Sequence, residues 1–272
     1  MVDHDAATIV PGKLYGLGGA ARRDGRISWV PEGGSGYEPL NCYLLTEPDG
    51  ALLIDTGVAA HADVIARQLQ ELAGPDLPVS VFLTRFEPDC VTNLAGVLAT
   101  CNVVAVYGGG VHNPFDFFDE LSPAAHVQHD HGVELIRKRP GERVPVSPTR
   151  SVEVLSTSLR VLTTFWAYDA ETRTLFTSDA FGHAPLAAPG QARIVDRGED
   201  RTGPGEVADT LFTKFDWLRS ADTGPLRAEL AGLLAEREVE IIAPTHGRIL
   251  RGADVVRRHA DMLLDCLAEA AA

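Results

Sequence analysis

The sequence is poor in the features that mark several classes of protein. It has four cysteines in 272 residues, and Cys42, Cys90, Cys101 and Cys266 form no C-x-x-C pair. That pattern excludes a dense disulfide framework and leaves four reduced thiols as the expectation. No apolar run approaches the ~20 residues that cross a bilayer as a helix. Met1 to Gly12, with Asp3, His4 and Asp5 at its start, lacks the basic and apolar regions of a secretion signal, so a cytoplasmic location is expected. Basic residues are scarce: 24 Lys and Arg against 38 Asp and Glu give a formal charge of -14. Such a charge repels phosphate backbones and anionic lipids, which disfavours nucleic-acid and membrane partners.

A hydrophobic fraction of 45% is enough for a sizeable core. No repeat or low-complexity linker divides the chain, so residues 1–272 are expected to form one domain. Asn41 to Thr46 and Ala51 to Asp55 are apolar runs on either side of Glu47-Pro-Asp-Gly50, a strong hairpin turn. Ala60 to Leu72 has helical periodicity and stops before Gly74-Pro75. Val79 to Thr84 reads as a buried strand, Val91 to Thr100 as a helix and Val103 to Tyr107 as another strand. A second series follows, with strands expected at Ser151 to Leu155, Leu159 to Thr164, Thr174 to Ser178 and Val239 to Ala243. Helices are expected at Leu226 to Glu236 and Ala253 to Ala270. Strands with helices in both halves predict an α/β protein in which two sheets pack face to face between helical layers.

Polar residues collect at three strand ends: Asp55-Thr-Gly57, Arg85 to Cys90, and Thr245-His-Gly247. Strand C-termini in α/β folds face the ligand crevice. Together these segments resemble the metallo-β-lactamase-fold superfamily, in its branch of flavodiiron and oxygen-binding diiron proteins. Leu83-Thr-Arg-Phe-Glu-Pro-Asp-Cys90 stands where that branch carries His-x-Glu-x-Asp-His, Leu175-Phe-Thr-Ser-Asp-Ala-Phe-Gly182 resembles its second signature, and Ala243-Pro-Thr-His-Gly247 its last. The resemblance runs in order from Val10 to Arg251 and implies an αββα four-layer sandwich. It also implies a two-metal site, in which the first metal would meet Arg85, Glu87, Arg160 and Asp179, and the second Asp89, Cys90, Asp179 and His246. Arg160 takes its place by its interval from Asp179.

Arginine has no lone pair to give, so the first position is expected to be empty of metal. The second retains four competent ligands of O, S and N type. Glu87, Asp89, Asp179 and a Cys90 thiolate would carry four negative charges, Arg85 and Arg160 two positive ones, and one divalent ion would close the sum. With Cys90 protonated the cluster carries one net negative charge, and a buried salt-bridge network could stand without metal. Both readings remain: one iron or zinc ion, or none. Cys90 opens a helix beside arginines, which should lower its pKa and make it a ligand, nucleophile or redox thiol, or else it fills space left by the family's His. Cys42 lies on a strand leading toward the same pocket, and an iron–sulfur cluster using Cys42 and Cys90 is a further alternative. His126, His129 and His131 form a separate cluster, read either as metal ligands or as a solvated loop. His183, just past the second signature, is placed to line the pocket.

The resemblance implies redox, O2 or NO chemistry, as an oxidoreductase or a sensor, with Cys90, Arg85 and Arg160 as the reactive or orienting groups. The chain ends about where a flavodoxin-like domain would begin, so no FMN is expected and reductant would come from a separate electron-donor protein. A mononuclear metal-dependent hydrolase is the second reading, and a non-catalytic binding module with a salt-bridged former metal site the third. The other expected partners are a small-molecule ligand or substrate and, by the resemblance, a second copy in a homodimer.

Overall fold

The computed structural model describes residues 5–25, 27, 30–109, 114 and 133–270. His126, His129 and His131 lie outside them. The strands form two seven-stranded sheets. The first is ordered β1 (Ala7–Val10), β2 (Leu14–Arg22), β3 (Tyr37–Glu47), β4 (Gly50–Ile54), β5 (Pro78–Leu83), β6 (Asn102–Gly108) and β7 (Glu134–Arg137). The second takes β8 (Arg143–Pro145), β9 (Ser151–Ser156), β10 (Phe165–Asp169), β11 (Thr174–Ser178), β12 (Ile194–Val195), β13 (Ile241–Pro244) and β14 (Ile249–Arg251), in the order β12-β14-β13-β11-β10-β9-β8.

The hairpin turn falls as its residues dictate, with Glu47 paired to Gly50 between β3 and β4. β4, β5 and β6 then run parallel. Their crossovers carry α1 (Ala62–Leu72), the short α2 (Pro88–Val91) and α3 (Leu94–Thr100). Such strands are covered on both faces, which is why β5 is apolar along nearly its whole length. On α1, Ile65, Gln68 and Leu69 share the buried face. The second sheet is covered by α4 (Pro204–Lys214), α5 (Gly224–Ala235) and α6 (Ala253–Ala270).

Three buried clusters define the layers. One, with Tyr43, Phe82, Phe176 and Ile249, fills the space between the sheets. The second lies under α1 and α3, and the third under α4 to α6. Each fully buried Leu or Phe contributes roughly 1.5–3 kcal/mol. This is the expected αββα sandwich.

Two elements differ from expectation. Leu159 to Thr164 is loop rather than strand, and the chain enters the sheet only at Phe165. Hydroxyl residues explain this: Thr157 Oγ1 accepts from the Leu159 N–H at 3.0 Å, and the Ser158 N–H donates to Glu229 at 2.8 Å. Local bonds of this kind compete with a sheet ladder. The helix expected over Val91 to Thr100 is broken at Asn93, whose amide donates to the carbonyls of Thr56, Gly57 and Val58 at 2.9, 3.0 and 3.0 Å.

Candidate functional site

Four strands end at one place. β4 ends at Asp55, β5 leads into Thr84 and Arg85, β11 ends at Ser178 before Asp179, and β13 leads into Thr245 and His246. Asp55 and Ser178 both hold left-handed backbone, at φ 59 and 52. For a residue with a Cβ this costs about 1–2 kcal/mol. At Asp55 the cost is offset by two buried hydrogen bonds, from the Thr84 N–H at 2.8 Å and the Thr84 hydroxyl at 2.7 Å. Gly247, at φ 85, lies so close to the next segment that a Cβ would stand 2.9 Å from the Gly182 backbone. That approach brings His246 beside the Asp179 loop.

Arg85 is the centre of the cluster. It is 4% exposed, and its guanidinium donates to Glu87 through Nε, to Ser178 through one terminal nitrogen and to Asp89 through the other. The nitrogen facing Asp89 also lies 2.9 Å from Asp179 Oδ1. Lys214, from the last turn of α4, holds the other Asp179 oxygen at 3.1 Å. His246 Nε2 lies 2.9 Å from Asp89 Oδ2 and 3.9 Å from Asp179 Oδ1.

Electrostatics follow from this geometry. Burial works to raise the Asp89 carboxyl, but Arg85 and then His246 overcome it and leave the group well below the usual carboxylate range. Burial works to lower the His246 imidazole, but the hydrogen bond to Asp89, with Asp89, Asp179 and Glu38 as neighbouring charges, holds it above its ordinary value. Asp55 is pushed up to about 7, chiefly by burial, with Arg85 and the Thr84 bonds pulling the other way. Glu87, Asp89 and Asp179 therefore face two permanent cations, Arg85 and Lys214, and the His246 imidazole, whose pKa Asp89 and Asp179 raise.

Arg160 requires correction. It lies in the loop before β10, exposed and with no ion pair among the described residues. It makes no ion pair with the Arg85 cluster, and the second permanent cation there is Lys214. The expectation of a low Cys90 pKa is also corrected. Cys90 is fully buried, and burial pushes its thiol well up despite Arg85. Its Sγ lies 3.6 Å from Asp89 Oδ1 and 3.8 Å from Thr84 Oγ1. Cys42 is fully buried under the helical face of the first sheet, its thiol likewise raised by burial.

Among the described residues, one group offers metal ligands: Asp89, Asp179 and His246, with donor atoms within 4.8 Å of one another and no cysteine in the set. A dinuclear centre does not fit these residues. The Arg85 guanidinium stands among Glu87, Asp89 and Asp179 and makes ion pairs with all three. A single ion at the remaining three donors would meet Arg85 and Lys214 on the same carboxylates.

Sequence reasoning missed Lys214, Ser178 and Glu38. Ser178 stood in the quoted signature, and Lys214 had only the Gly203-Pro-Gly-Glu206 helix start to announce its helix. In that start the Glu206 side chain accepts from the Gly203 N–H at 2.8 Å. A cavity of about 410 Å³ adjoins Arg85, lined by Thr84, Phe86, Tyr107, Leu162 and Phe165.

No protein-family model and no curated protein matches the chain in sequence. Solved structures match its fold. The rubredoxin oxygen:oxidoreductase of Desulfovibrio gigas superposes with a TM-score of 0.69 at 17% identity, over 97% of this chain and 61% of that one. A mutant flavo di-iron protein from Thermotoga maritima gives 0.69 at 16%, over 95% and 60%. The peroxy diiron species of the chemotaxis sensor ODP gives 0.58 at 16%, over 83% and 86%. The chain thus spans about three fifths of the length of the first two proteins. Among the described residues no helix is long and apolar enough to cross a membrane. Two sheets between helical layers, with polar residues gathered at shared strand ends, give this chain the metallo-β-lactamase fold in the form seen in flavodiiron cores.

Proposed function

We propose that this protein is a flavodiiron-type fold whose two-metal centre has been replaced by a buried salt-bridge network, and that it serves as a small-molecule binding or sensing protein rather than a diiron O2 or NO reductase. The observation that carries the reading is the Arg85 guanidinium, which is bonded to Glu87, Asp89 and Ser178 and paired with Asp179. A permanent cation among three would-be ligands opposes a second cation there, and the three donors are already engaged, Asp89 and Asp179 with Arg85 and His246 with Asp89. The apolar cavity beside Arg85 gives such a protein room for a ligand. Purification without oxygen, followed by incubation with Fe2+ or Zn2+ and removal of excess, should leave under ~0.2 metal per chain. Arg85→His should raise that figure.

A second reading has one specific observation in its favour, the Asp89, Asp179 and His246 triplet. It is a mononuclear iron or zinc protein, with redox or hydrolytic chemistry at one ion. Near one metal per chain, lost in His246→Ala and kept in Cys90→Ser, would establish it over the first. Electron supply from a separate donor protein and pairing of two chains belong to this reading, and neither is needed by the first.

A further inference from the structure

A second group of titratable side chains lies apart from the Arg85 cluster. Asp200 accepts a hydrogen bond from the Thr202 N–H at 3.0 Å and faces His259 Nε2 at 3.1 Å. Its carboxyl, raised by burial but lowered more by the Thr202 bond, His259 and Arg258, sits below its ordinary value and is therefore an acceptor only. His259 must then donate from Nε2. Burial holds the His259 ring neutral, so its Nδ1 is an acceptor, and the neighbour 2.7 Å away, His183 Nε2, must be the donor. His183 is neutral too, lowered to about 3 by burial and by His259. One tautomer is fixed along the whole row, and it leaves His183 Nδ1 with an unused lone pair.

His183 is 3% exposed, and Nδ1 has no hydrogen-bond partner among the described residues. A lone pair of this kind, without a partner, is open to a donor in the adjoining space. His183 lines a cavity of about 570 Å³ between the Gly33–Gly36 loop, Ala184 to Leu186 and α4. The charged residues on its walls are Arg23, Arg201 and Arg248 against Glu32, Glu199, Glu206 and Asp209. Arg23 is paired with Glu38 at 3.2 Å and Arg248 with Glu199 at 3.5 Å. Arg201 bonds only the Asp200 carbonyl, and Asp209 has no ion pair among the described residues. The walls thus present a fixed lone pair, an excess of carboxylates and one uncommitted guanidinium.

We propose that this cavity binds a small molecule through its amino group, which donates to His183 Nδ1 with Asp209 balancing the ammonium charge. His259 and Asp200 are positioning residues that hold the His183 tautomer. The inference goes beyond the proposed function and holds whether or not Asp89, Asp179 and His246 take up a metal.

The test is ring-nitrogen NMR of the full chain with 15N-labelled histidine, at pH 7. In the free protein His183 should show an unprotonated Nδ1 and a protonated Nε2. A charged His183, or the opposite tautomer, would overturn the proposal. The protein is then titrated with two pools, the free amino acids and the amines obtained by decarboxylating them. One pool or both should shift the His183 Nδ1 resonance, and binding should fall about tenfold in His183→Phe, the loss of one good hydrogen bond to a charged donor. Asp209→Asn, at an exposed helix position, should weaken binding several-fold without touching the buried row. Preference for amino acids that disappears in Arg201→Ala assigns the carboxylate to Arg201, and equal binding of both pools assigns recognition to the amino group alone. No shift with either pool at ~10 mM, a weak affinity by any standard, or equal binding by wild type and Asp209→Asn, would sink it.

Discussion

Two of the buried arginines, Arg85 and Arg150, each meet three carboxylates, and they differ in a way that a charge count conceals. Arg150 donates to both oxygens of Asp169, at 3.2 and 2.6 Å, and to Glu47 at 3.0 Å, and pairs with Glu171 at 3.5 Å, while Lys13 lies on Glu47 at 2.7 Å and on Glu171 at 2.8 Å. Arg85 meets Glu87, Asp89 and Asp179, with Lys214 on Asp179. Each network has three carboxylates and two permanent cations. At Arg150, however, the Glu171 side chain is 43% exposed and water answers its charge, whereas at Arg85 the side chains of Asp89 and Asp179 are 12% and 9% exposed. The third positive charge there has to come from the protein, and His246 is the group placed to supply it. Asp169 also has the Thr172 N–H and hydroxyl as donors, so the Arg150 network is a well-satisfied clamp at the turn end of β10. A buried ion pair marks stability only weakly. Excess buried carboxylate balanced by a titratable imidazole, at the strand ends that face a cavity, marks a site.

The largest effect that separates the two networks should come from deleting each arginine. Arg85→Ala removes the one cation that reaches Glu87, Asp89 and Asp179 together and should cost about 3–5 kcal/mol in urea unfolding. Arg150→Ala leaves Asp169 its two Thr172 donors and Glu47 its lysine, and should cost about 2–3 kcal/mol. The contrast sharpens with divalent metal. Zn2+ should raise the melting temperature of Arg85→Ala, in which Glu87 and Asp89 have lost their guanidinium and Asp179 keeps only Lys214, and leave that of Arg150→Ala unchanged. Equal responses of both variants would break the comparison.

Next in size is Lys214→Met, which keeps the buried stem and removes one charge from Asp179. A loss of about 1–2 kcal/mol is expected, because Arg85 still holds the other oxygen. Uptake of metal by this variant, absent from wild type, would show that Lys214 as well as Arg85 excludes the ion.

Near neutral pH the Arg85 network differs from the Arg150 network by its imidazole, His246. Its folded pKa is raised, so its contribution is fully present below about pH 6.5 and is lost as pH rises through the folded value. Asp89 is held low, so its contribution is present above about pH 4 and is lost only as pH falls through its folded value. Asp55 adds a decline of its own, because a folded carboxyl raised to about 7 keeps a proton that the unfolded chain releases near pH 4. Subtracting His246→Gln removes that shared slope. The difference should be on the order of 1 kcal/mol at pH 5.5, that between a charged and a neutral hydrogen bond, and should vanish in alkali. Stability curves that stay parallel from pH 5 to 9 would mean that folding leaves the His246 pKa unshifted.

Much of this was legible in the sequence where local chemistry decides it. The Glu47-Pro-Asp-Gly50 turn, the apolar β5 and the last helix at Ala253–Ala270 fall where period and turn residues put them. Asp55, Arg85 and His246 stood out because each follows a strand, and Asp179 because its segment resembles the family's second signature. What escaped depends on contacts across the chain. Lys214 comes from a helix 35 residues past Asp179, and no spacing rule links them. The Cys90 pKa depended on burial, and local neighbours pointed the wrong way. His183 was expected to line the same pocket as Asp179, and it instead faces the neighbouring cavity, on the far side of Arg23 and Thr210, which line both spaces.

Arg160 gives the smallest effect and the sharpest use of register. Its interval before Asp179 places it in line with Arg85 by resemblance, and an arginine in that place would be as costly to remove as Arg85 itself. In the folded chain the hydroxyl-rich turn at Thr157 and Ser158 holds the preceding segment off the sheet, and Arg160 stays in water. Arg160→Ala should therefore change unfolding free energy by less than roughly 0.5 kcal/mol, as at other exposed positions without a partner. It should also leave metal uptake at the wild-type level. A loss of several kcal/mol would return Arg160 to the cluster, beside the two permanent cations, Arg85 and Lys214, that already hold its carboxylates.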